Sequence, residues 1–465
     1  MRQPLRRAGG FAVVATLALA APALGPAAAA PFAAVALLAV FVVDDDDSWL
    51  FELFARPADY EDRRLNGLAG FALAATGLAV LTAVPEAPMP RPVFAAAVCT
   101  LAYGRLGRAF VQLSTNDEFV AGAAFVVGGF LGGTVVQVAV VAVDPAATGL
   151  ARVPTYAFLA AVGALVAAIL RSALFDDDDA LVVVPVGFLL WLLEAVTPAV
   201  TPVVVAAGLL ATVLLGGVSY ALQTADVPGM LTGVLSGLVT VVLGGFGWLA
   251  ALISFFAVGG LASKFRYDRK VERGVAQENG GARGPENVLG NAAVALVAVV
   301  GYGATTETTV DLSGISAGSL TVDLSTVSVF GVELATLAAF AFAGSLAAAM
   351  ADTLASEIGG LFDGPRLVTT LRRVPPGTDG AVTWQGELAG TVGAAVVAVI
   401  AAGTMPVGDP VVGGVITLAG GVAGMTVDSL CGAVIEGELV GNEAVNFLAT
   451  LAGAVVAVVL ALVVT

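Results

Sequence analysis

Histidine is absent from the 465 residues, and lysine and cysteine occur only twice each. Without imidazole there is no histidine-based catalytic dyad and no histidine–zinc centre. Cys99 and Cys431 lie far apart in apolar stretches, so they offer neither a disulfide framework nor a CxxC metal site. They read as small packing residues. Charge is also scarce, at 12% of residues, about half the roughly 25% of a soluble domain. That excludes an ordinary soluble protein. The charge present is acidic, 36 Asp+Glu against 20 Lys+Arg for a net −16, which argues against nucleic acid as a partner, because its phosphates require a basic surface. The GxxxxGK[ST] phosphate loop, the GxGxxG fingerprint and the zinc-protease and serine-hydrolase motifs are all missing.

What the chain has instead is apolar length. It is 58% hydrophobic, with a mean hydropathy of +0.96. The fold class expected is all-α, a polytopic membrane helix bundle of about 12–15 spans at roughly 20 residues each. Apolar stretches run over 11–25, 27–43, 67–84, 93–110, 119–143, 155–174, 180–196, 198–218, 230–243, 244–262, 288–303, 331–350, 386–403, 410–425 and 444–464. The stretch 230–262 reads either as a tight hairpin broken at Gly244-Gly245 or as one long helix. MRQPLRR followed by FAVVATLALAAPALG imitates a secretory signal, but the second apolar run at 27–43 favours an uncleaved hairpin or signal anchor. Residues 160–179 loosely mirror 341–360, and 205–225 resemble 416–437, a pattern of two degenerate repeats. Two runs of four aspartates, 44–47 and 176–179, could hold a divalent ion; they read better as the hydrated acidic surface of a salt-loving organism.

The second half has a consistent topology. Lys264, Arg266, Arg269, Lys270, Arg273 and Arg283 crowd one loop, which the positive-inside rule makes cytoplasmic. Residues 304–330 contain no Lys or Arg, as an outer loop should. The next span returns the chain to the cytoplasm just before Asp352, and Arg366, Arg372 and Arg373 mark the same side. A further hairpin, with its outer turn at 405–409, delivers Asp428 to that face. The chain therefore divides into 1–197, membrane helices of unassigned role, and 198–465, whose polar clusters converge on one membrane face.

Four clusters carry chemistry. In MADTLASEIGG (350–360), helical spacing puts Asp352, Ala355, Ser356 and Gly359 on one face. A carboxylate at membrane depth is costly unless it is paired or metal-bound, and the small residues of that stripe admit a backbone or a nucleotide. Glu357 lies about 140° round from Asp352 at 100° per residue, so it joins a metal site only from a frayed helix end. The second cluster, 264–291, offers Lys264, Arg266, Lys270 and Arg283 to phosphates or anionic lipid headgroups; Asn287 and Asn291 sit four apart at the head of the next helix, an anion-binding position. In the third, Arg372 and Arg373 precede Pro375-Pro376 and the tight loop Gly377-Thr378-Asp379-Gly380, able to present backbone N–H groups to phosphates with Asp379 toward a metal. The last cluster has Asp428 and Ser429 ending a membrane helix, with Asn442 and Asn446 four apart on the next; such asparagines can also simply join helices. Carboxylates for Mg²⁺ and cations for phosphate oxygens are the ingredients of phosphoryl transfer.

ADTLASEIGG, GARGPENVLGN, PPGTDGAVTWQGELAGT, DSLCGA and NEAVNFLAT, in this order, resemble the integral-membrane family called domain of unknown function 92, which includes transmembrane protein 19 and the plant phytyl-phosphate kinases. The resemblance covers roughly 198–465. It implies a kinase that converts an isoprenyl monophosphate, geranylgeranyl or phytyl phosphate, to the diphosphate with CTP or another nucleoside triphosphate. The pattern Asp352-x-x-Ala355-x-x-x-Gly359 also looks like that of phytol and dolichol kinases, where a following Gly-rich stretch is associated with nucleotide. The equivalent here is 377–380, without the lysine frequent there; Arg372 and Arg373 are its candidate replacements. The expectation is a cell-membrane enzyme with Asp352, Glu357 and Asp428 catalytic and with Asp352, Asp379 and Asp428 on Mg²⁺. Its partners are an isoprenoid lipid phosphate and membrane lipids, and its motif loops are cytoplasmic. A secondary transporter and a lipid-phosphate cytidylyltransferase are the competing functions.

Overall fold

The computed structural model describes residues 2–41, 48–85, 87–144, 150–173, 179–197, 200–276, 283–307, 309–311, 321–437 and 439–464. The chain forms two compact units, Met1–Val205 and Ala206–Thr465. The first contains α1 (Arg2–Ala15), α2 (Ala21–Leu24), α3 (Ala30–Phe41), α4 (Trp49–Phe54), α5 (Pro57–Asp62), α6 (Asn66–Leu81), α7 (Arg91–Val111), α8 (Glu118–Val143), α9 (Val153–Ala173) and α10 (Asp179–Val196). Helix α11 (Pro202–Leu222) straddles the division. The second holds α12 (Val227–Leu243), α13 (Phe246–Lys264), α14 (Tyr267–Glu272), α15 (Pro285–Glu307), α16 (Leu334–Gly359), α17 (Trp384–Thr404), α18 (Pro410–Val434) and α19 (Asn442–Val464). The protein is an all-α polytopic membrane bundle. Eleven of the described helical stretches, one of them Gln3–Ala27 taking in α1 and α2, are long and apolar enough to span a bilayer, and Ala30–Phe41, Asn66–Leu81 and Val227–Leu243 are shorter apolar helices.

The apolar stretches are largely helical over their described residues, although the one at 331–350 opens in a short strand, Val332–Glu333, and two places are informative. At Gly244-Gly245 the helix breaks between Leu243 and Phe246, which excludes one long helix. Gly245 has φ +91, a left-handed conformation that favours glycine, and a Cβ on Gly244 would lie 2.6 Å from the Trp248 ring. At the other place, α16 and α18 do not stop where the apolar runs end near 350 and 425; they continue to Gly359 and Val434. The backbone ladder is indifferent to a carboxylate side chain as long as that side chain finds a polar environment inside the bundle. Asp352 is therefore seven residues inside α16, not in a loop after it.

Helix α16 is the central member of the second unit, packed by α15, α17, α18 and α19. Small residues permit the close approach. A Cβ on Gly344 would come within 2.6 Å of the Gly453 carbonyl oxygen, and one on Gly424 within 2.3 Å of the Ala348 Cβ. Such seams replace the hydrophobic drive that lipid surroundings remove. The proposed repeat does not coincide with the division into units, since 205–225 and 416–437 both fall essentially in the second.

In the first unit, residues 44–47 and 176–178 lie outside the described residues, but Asp179 corrects the reading of its run as hydrated surface. It is 3% exposed and accepts hydrogen bonds from Arg56 and Arg105, the latter at 2.6 Å to Oδ1. Charge taken out of water is tolerated where opposite charge meets it. The partners lie 123 and 74 residues away in sequence, so the run itself gives no hint of them.

Candidate functional site

The site is assembled at the C-terminal ends of α13, α16 and α18. Asp352 on α16 and Asp428 on α18 face each other carboxyl to carboxyl. Asp428 Oδ1 is buried without a hydrogen-bond partner among the described residues. Counting along the helices, Asp352 is about 10 Å and Asp428 about 9 Å from its helix end, at 1.5 Å per residue. Each is nearer one end than the middle.

Arg283 joins this pair from the segment before α15. Its backbone is pinned to the 224–226 turn: the Arg283 N–H donates to the Thr224 carbonyl at 3.0 Å, and the Asp226 N–H to the Arg283 carbonyl at 3.2 Å. The side chain is 7% exposed and lies over the Phe255 ring at 5.2 Å. A Cβ on Gly259 would be 2.7 Å from Arg283 Nη2, so that glycine makes the slot for the guanidinium. Burial pushes Arg283 below the ordinary arginine value, opposed by the charges of Glu357 and Asp352. Its Nε has no partner among the described residues. A buried donor and a buried acceptor left open in one cluster each carry a desolvation cost, and a polar ligand removes such a cost.

Lys270 and Glu357 behave differently. Lys270, expected to meet phosphate, is 1% exposed and turned inward from α14. Its Nζ donates to the Ala262 carbonyl at 2.7 Å, to the Ser263 carbonyl at 3.3 Å, and to Glu357. The three N–H groups of an ammonium are thereby used, and Lys270 is an internal brace. Glu357, on an unfrayed helix, does not meet Asp352 across a metal. Its Oε2 takes the lysine, while its Oε1 is buried and unpartnered.

The small-residue stripe of α16 admits a backbone. Cβ atoms on Gly386 and Gly390 would come within 2.6 Å of the Ala355 carbonyl and 2.7 Å of the Ala351 carbonyl. Helix α17 therefore occupies the side where Ala355 and Gly359 lie. Ser356 is exposed, its hydroxyl donating to the Thr353 carbonyl at 3.1 Å.

The loop between α16 and α17 is a compact lobe. Strands Arg366–Leu367 and Ala381–Val382 pair antiparallel, and the Thr378 hydroxyl donates to the Pro375 carbonyl at 2.8 Å. Gly377 and Gly380 have φ +80 and +69. A Cβ on Gly380 would stand 2.5 Å from the Ser429 carbonyl oxygen and 2.4 Å from the Ala433 nitrogen, so this loop rests directly on the α18 turn that follows Asp428. Arg372, Arg373 and Asp379 on it are exposed. Asp379 does not complete the expected metal trio: no group of three or more Asp, Glu, Cys or His side chains close enough for a metal exists among the described residues.

The remaining candidates sit around this core. Lys264 and Arg266 are exposed, the former donating to the Leu222 carbonyl. Asn291 is buried and its Nδ2 donates to the Asn287 carbonyl at 2.9 Å, an internal bond of α15. Asn442 is exposed at the start of α19 and Asn446 is buried. The turn of Gly280-Gly281 lies outside the described residues. Glu436 escapes a reading confined to motif residues. Burial, followed by the charges of Asp379, Asp428 and Glu443, raises it above the ordinary carboxylate value, which makes it part of the same acidic field.

The donor set suits Mg²⁺ of one kind only. This ion is ordinarily held by one or two carboxylates together with substrate phosphates, not by an all-protein cage. Asp352 and Asp428, with the open Oδ1, fit that mode.

Comparison with known proteins places this chain in a family. Residues 210–454, more than half of the chain and essentially the second unit, match the model described as Integral membrane protein DUF92. Uncharacterized membrane protein MJ0933 of Methanocaldococcus jannaschii is 30% identical over 237 residues, covering 50% of this chain and 85% of that protein. Uncharacterized membrane protein sll0875 of Synechocystis sp. is 32% identical over 231 residues, 48% of this chain and 78% of that protein. Protein VTE6, chloroplastic, of Arabidopsis thaliana is 31% identical over 138 residues, 30% of this chain and 34% of that protein. No solved structure matches the chain. By the extent of the family match, the chain is a member of the DUF92 integral membrane protein family.

Proposed function

We propose that the second unit is a phosphotransferase that moves the γ-phosphoryl group of a nucleoside triphosphate, CTP by the family resemblance, onto an isoprenoid monophosphate held in the membrane. The observation that carries this reading is the facing pair Asp352 and Asp428, with an open carboxylate oxygen, beside the buried guanidinium of Arg283 with an open Nε. Phosphoryl transfer needs little covalent help from a protein. It needs phosphates positioned and their charge met. In the reaction, an oxygen of the lipid monophosphate forms the new bond to the γ-phosphorus. The bond from that phosphorus to its bridging oxygen breaks, and the nucleoside diphosphate leaves with the electron pair. A phosphate monoester is largely ionised at neutral pH, with its second pKa near 6, so no general base is required.

In this reading Arg283 orients a phosphate, and Asp352 and Asp428 hold the magnesium–triphosphate complex. The 377–380 loop with Arg372 and Arg373 meets the nucleotide. Asp352 and Asp428 would hold Mg²⁺, which would supply positive charge to the triphosphate. The position of the carboxylate pair toward one end of its helices supports chemistry at a membrane face over carriage through the midplane. The basic loops support a cytoplasmic position for that face. The plant phytyl-phosphate kinases within the family support an isoprenoid acceptor.

The test is label transfer by the purified full-length protein in detergent with Mg²⁺. γ-Labelled CTP and ATP are offered with geranylgeraniol, its monophosphate and archaeal lipid phosphates. The expected result is labelled isoprenyl diphosphate. Release of pyrophosphate with a nucleotide-linked lipid would replace the reading with a cytidylyltransferase, and transfer to none of the acceptors would move it to a carrier.

A further inference from the structure

A second polar feature lies apart from the carboxylate pair. Phe265, Arg266, Arg269, Ile358, Leu361, Phe362 and Asp363 line a cavity of about 290 Å³ at the C-terminal ends of α13 and α16. Both helices qualify as membrane spans, so this cavity sits where a bilayer's apolar core gives way to headgroups. Its walls have the corresponding two characters. Four lining residues are large and apolar, with Phe265 and Phe362 exposed, and two are exposed arginines.

The arginines have charge to spare. Neither Arg266 nor Arg269 makes a hydrogen bond or ion pair with a carboxylate among the described residues. Arg266 stacks its guanidinium on Phe265 at 5.3 Å. The acid of the pocket, Asp363, is engaged by Arg273 Nη1 at 2.7 Å, although the charge of Arg269 also reaches it. Asp268 and Glu272 are exposed on α14 and face neither arginine at bonding distance. Arg266 also adopts φ 52, a left-handed backbone that is costly for a non-glycine residue, and in this conformation its side chain lines the pocket.

We propose that this pocket binds the phosphate headgroup of an anionic membrane lipid, the guanidiniums of Arg266 and Arg269 meeting the phosphate while Phe265, Leu361 and Phe362 take the first carbons of the chains. Its volume falls at the lower edge of the roughly 300–1,000 Å³ of small-molecule sites, which suits a headgroup. Arginine is the residue whose planar donors match a phosphate, and unpaired basic residues beside a span attract anionic lipid. The site is independent of phosphoryl transfer and does not rest on that reading.

Native mass spectrometry of the detergent-purified full chain tests the proposal, with dioleoyl phosphatidylglycerol as the probe and dioleoyl phosphatidylcholine and inorganic phosphate as competitors. One phosphatidylglycerol should survive delipidation in the wild type. The double variant Arg266→Gln/Arg269→Gln should weaken that adduct at least tenfold, and Phe362→Ala should weaken it severalfold. The charge-matched Arg372→Gln/Arg373→Gln should retain it. Equal retention by the double variant would overturn the proposal, and so would equal loss from the Arg372/Arg373 variant. Displacement by inorganic phosphate at the same concentration would make the ligand a free anion, and displacement by phosphatidylcholine would remove the role of charge.

Discussion

Both units bury carboxylates, but they do so to opposite ends. In the first, both oxygens of Asp179 accept from Arg56 or Arg105, and both oxygens of Asp59 accept backbone N–H groups, from Arg56 at 2.9 Å and Gly67 at 3.4 Å. In the second, the carboxylate oxygens Asp428 Oδ1 and Glu357 Oε1 are buried and open among the described residues, and two carboxyl groups face each other. Internally answered charge ties helices together. Unanswered charge carries a standing penalty that something else must relieve. That contrast separates scaffold from site more sharply than the presence of buried charge alone.

The contrast can be broken by substitution. The largest effect is expected at the carboxylate pair. Asp352→Asn and Asp428→Asn should each lower label transfer by roughly 10²–10³-fold, the order seen when a transition-state charge contact is lost. Thermal unfolding in detergent should be unchanged or shifted upward, because two carboxyl groups no longer compete for one buried site. Asp179→Ala should do the reverse in kind, costing about 3–5 kcal/mol of stability, because it leaves buried guanidiniums uncompensated. A fall in unfolding temperature, with the remaining folded protein still active per molecule, is the readout.

Lys270→Met should also destabilise by about 3 kcal/mol, since it strands Glu357. Adding Glu357→Leu should recover most of the loss, as replacing a whole buried pair usually does. A double-mutant cycle measures this. Gly386→Ala should cost about 1–3 kcal/mol by overpacking the α16–α17 seam, measured by the same unfolding assay. The smallest effect belongs to Asp363, exposed and held below the ordinary carboxylate value by its hydrogen bond to Arg273 and that residue's charge. A depressed folded value contributes stability at neutral pH that is lost as pH falls through it. Asp363→Asn should therefore be slightly less stable than wild type at pH 7, and the difference should vanish in strong acid.

The membrane helices were legible because an apolar run of span length admits few other structures. The ends of α16 and α18 were not, because a run of apolar side chains stops at Asp352 or Asp428 while the hydrogen-bonded backbone continues. The gathering of Asp352, Asp428 and Arg283 at one end of the bundle followed from alternating loop charge and from motif order. The fate of individual bases did not. Lys270 belongs to a loop whose composition reads as exposed, yet it fills a slot defined by two carbonyls of α13 and by Glu357, 87 residues away. Likewise Ala355 and Gly359 could admit a nucleotide or a helix until the glycines of α17 were placed against them.

The most direct test of the central claim is Mn²⁺ binding, read by electron paramagnetic resonance on the purified full-length protein with a non-hydrolysable CTP analogue. One nucleotide-dependent Mn²⁺ per chain is expected, lost in both Asp352→Asn and Asp428→Asn and retained in the Lys270→Met/Glu357→Leu pair. Undiminished Mn²⁺ in either aspartate variant would contradict the account.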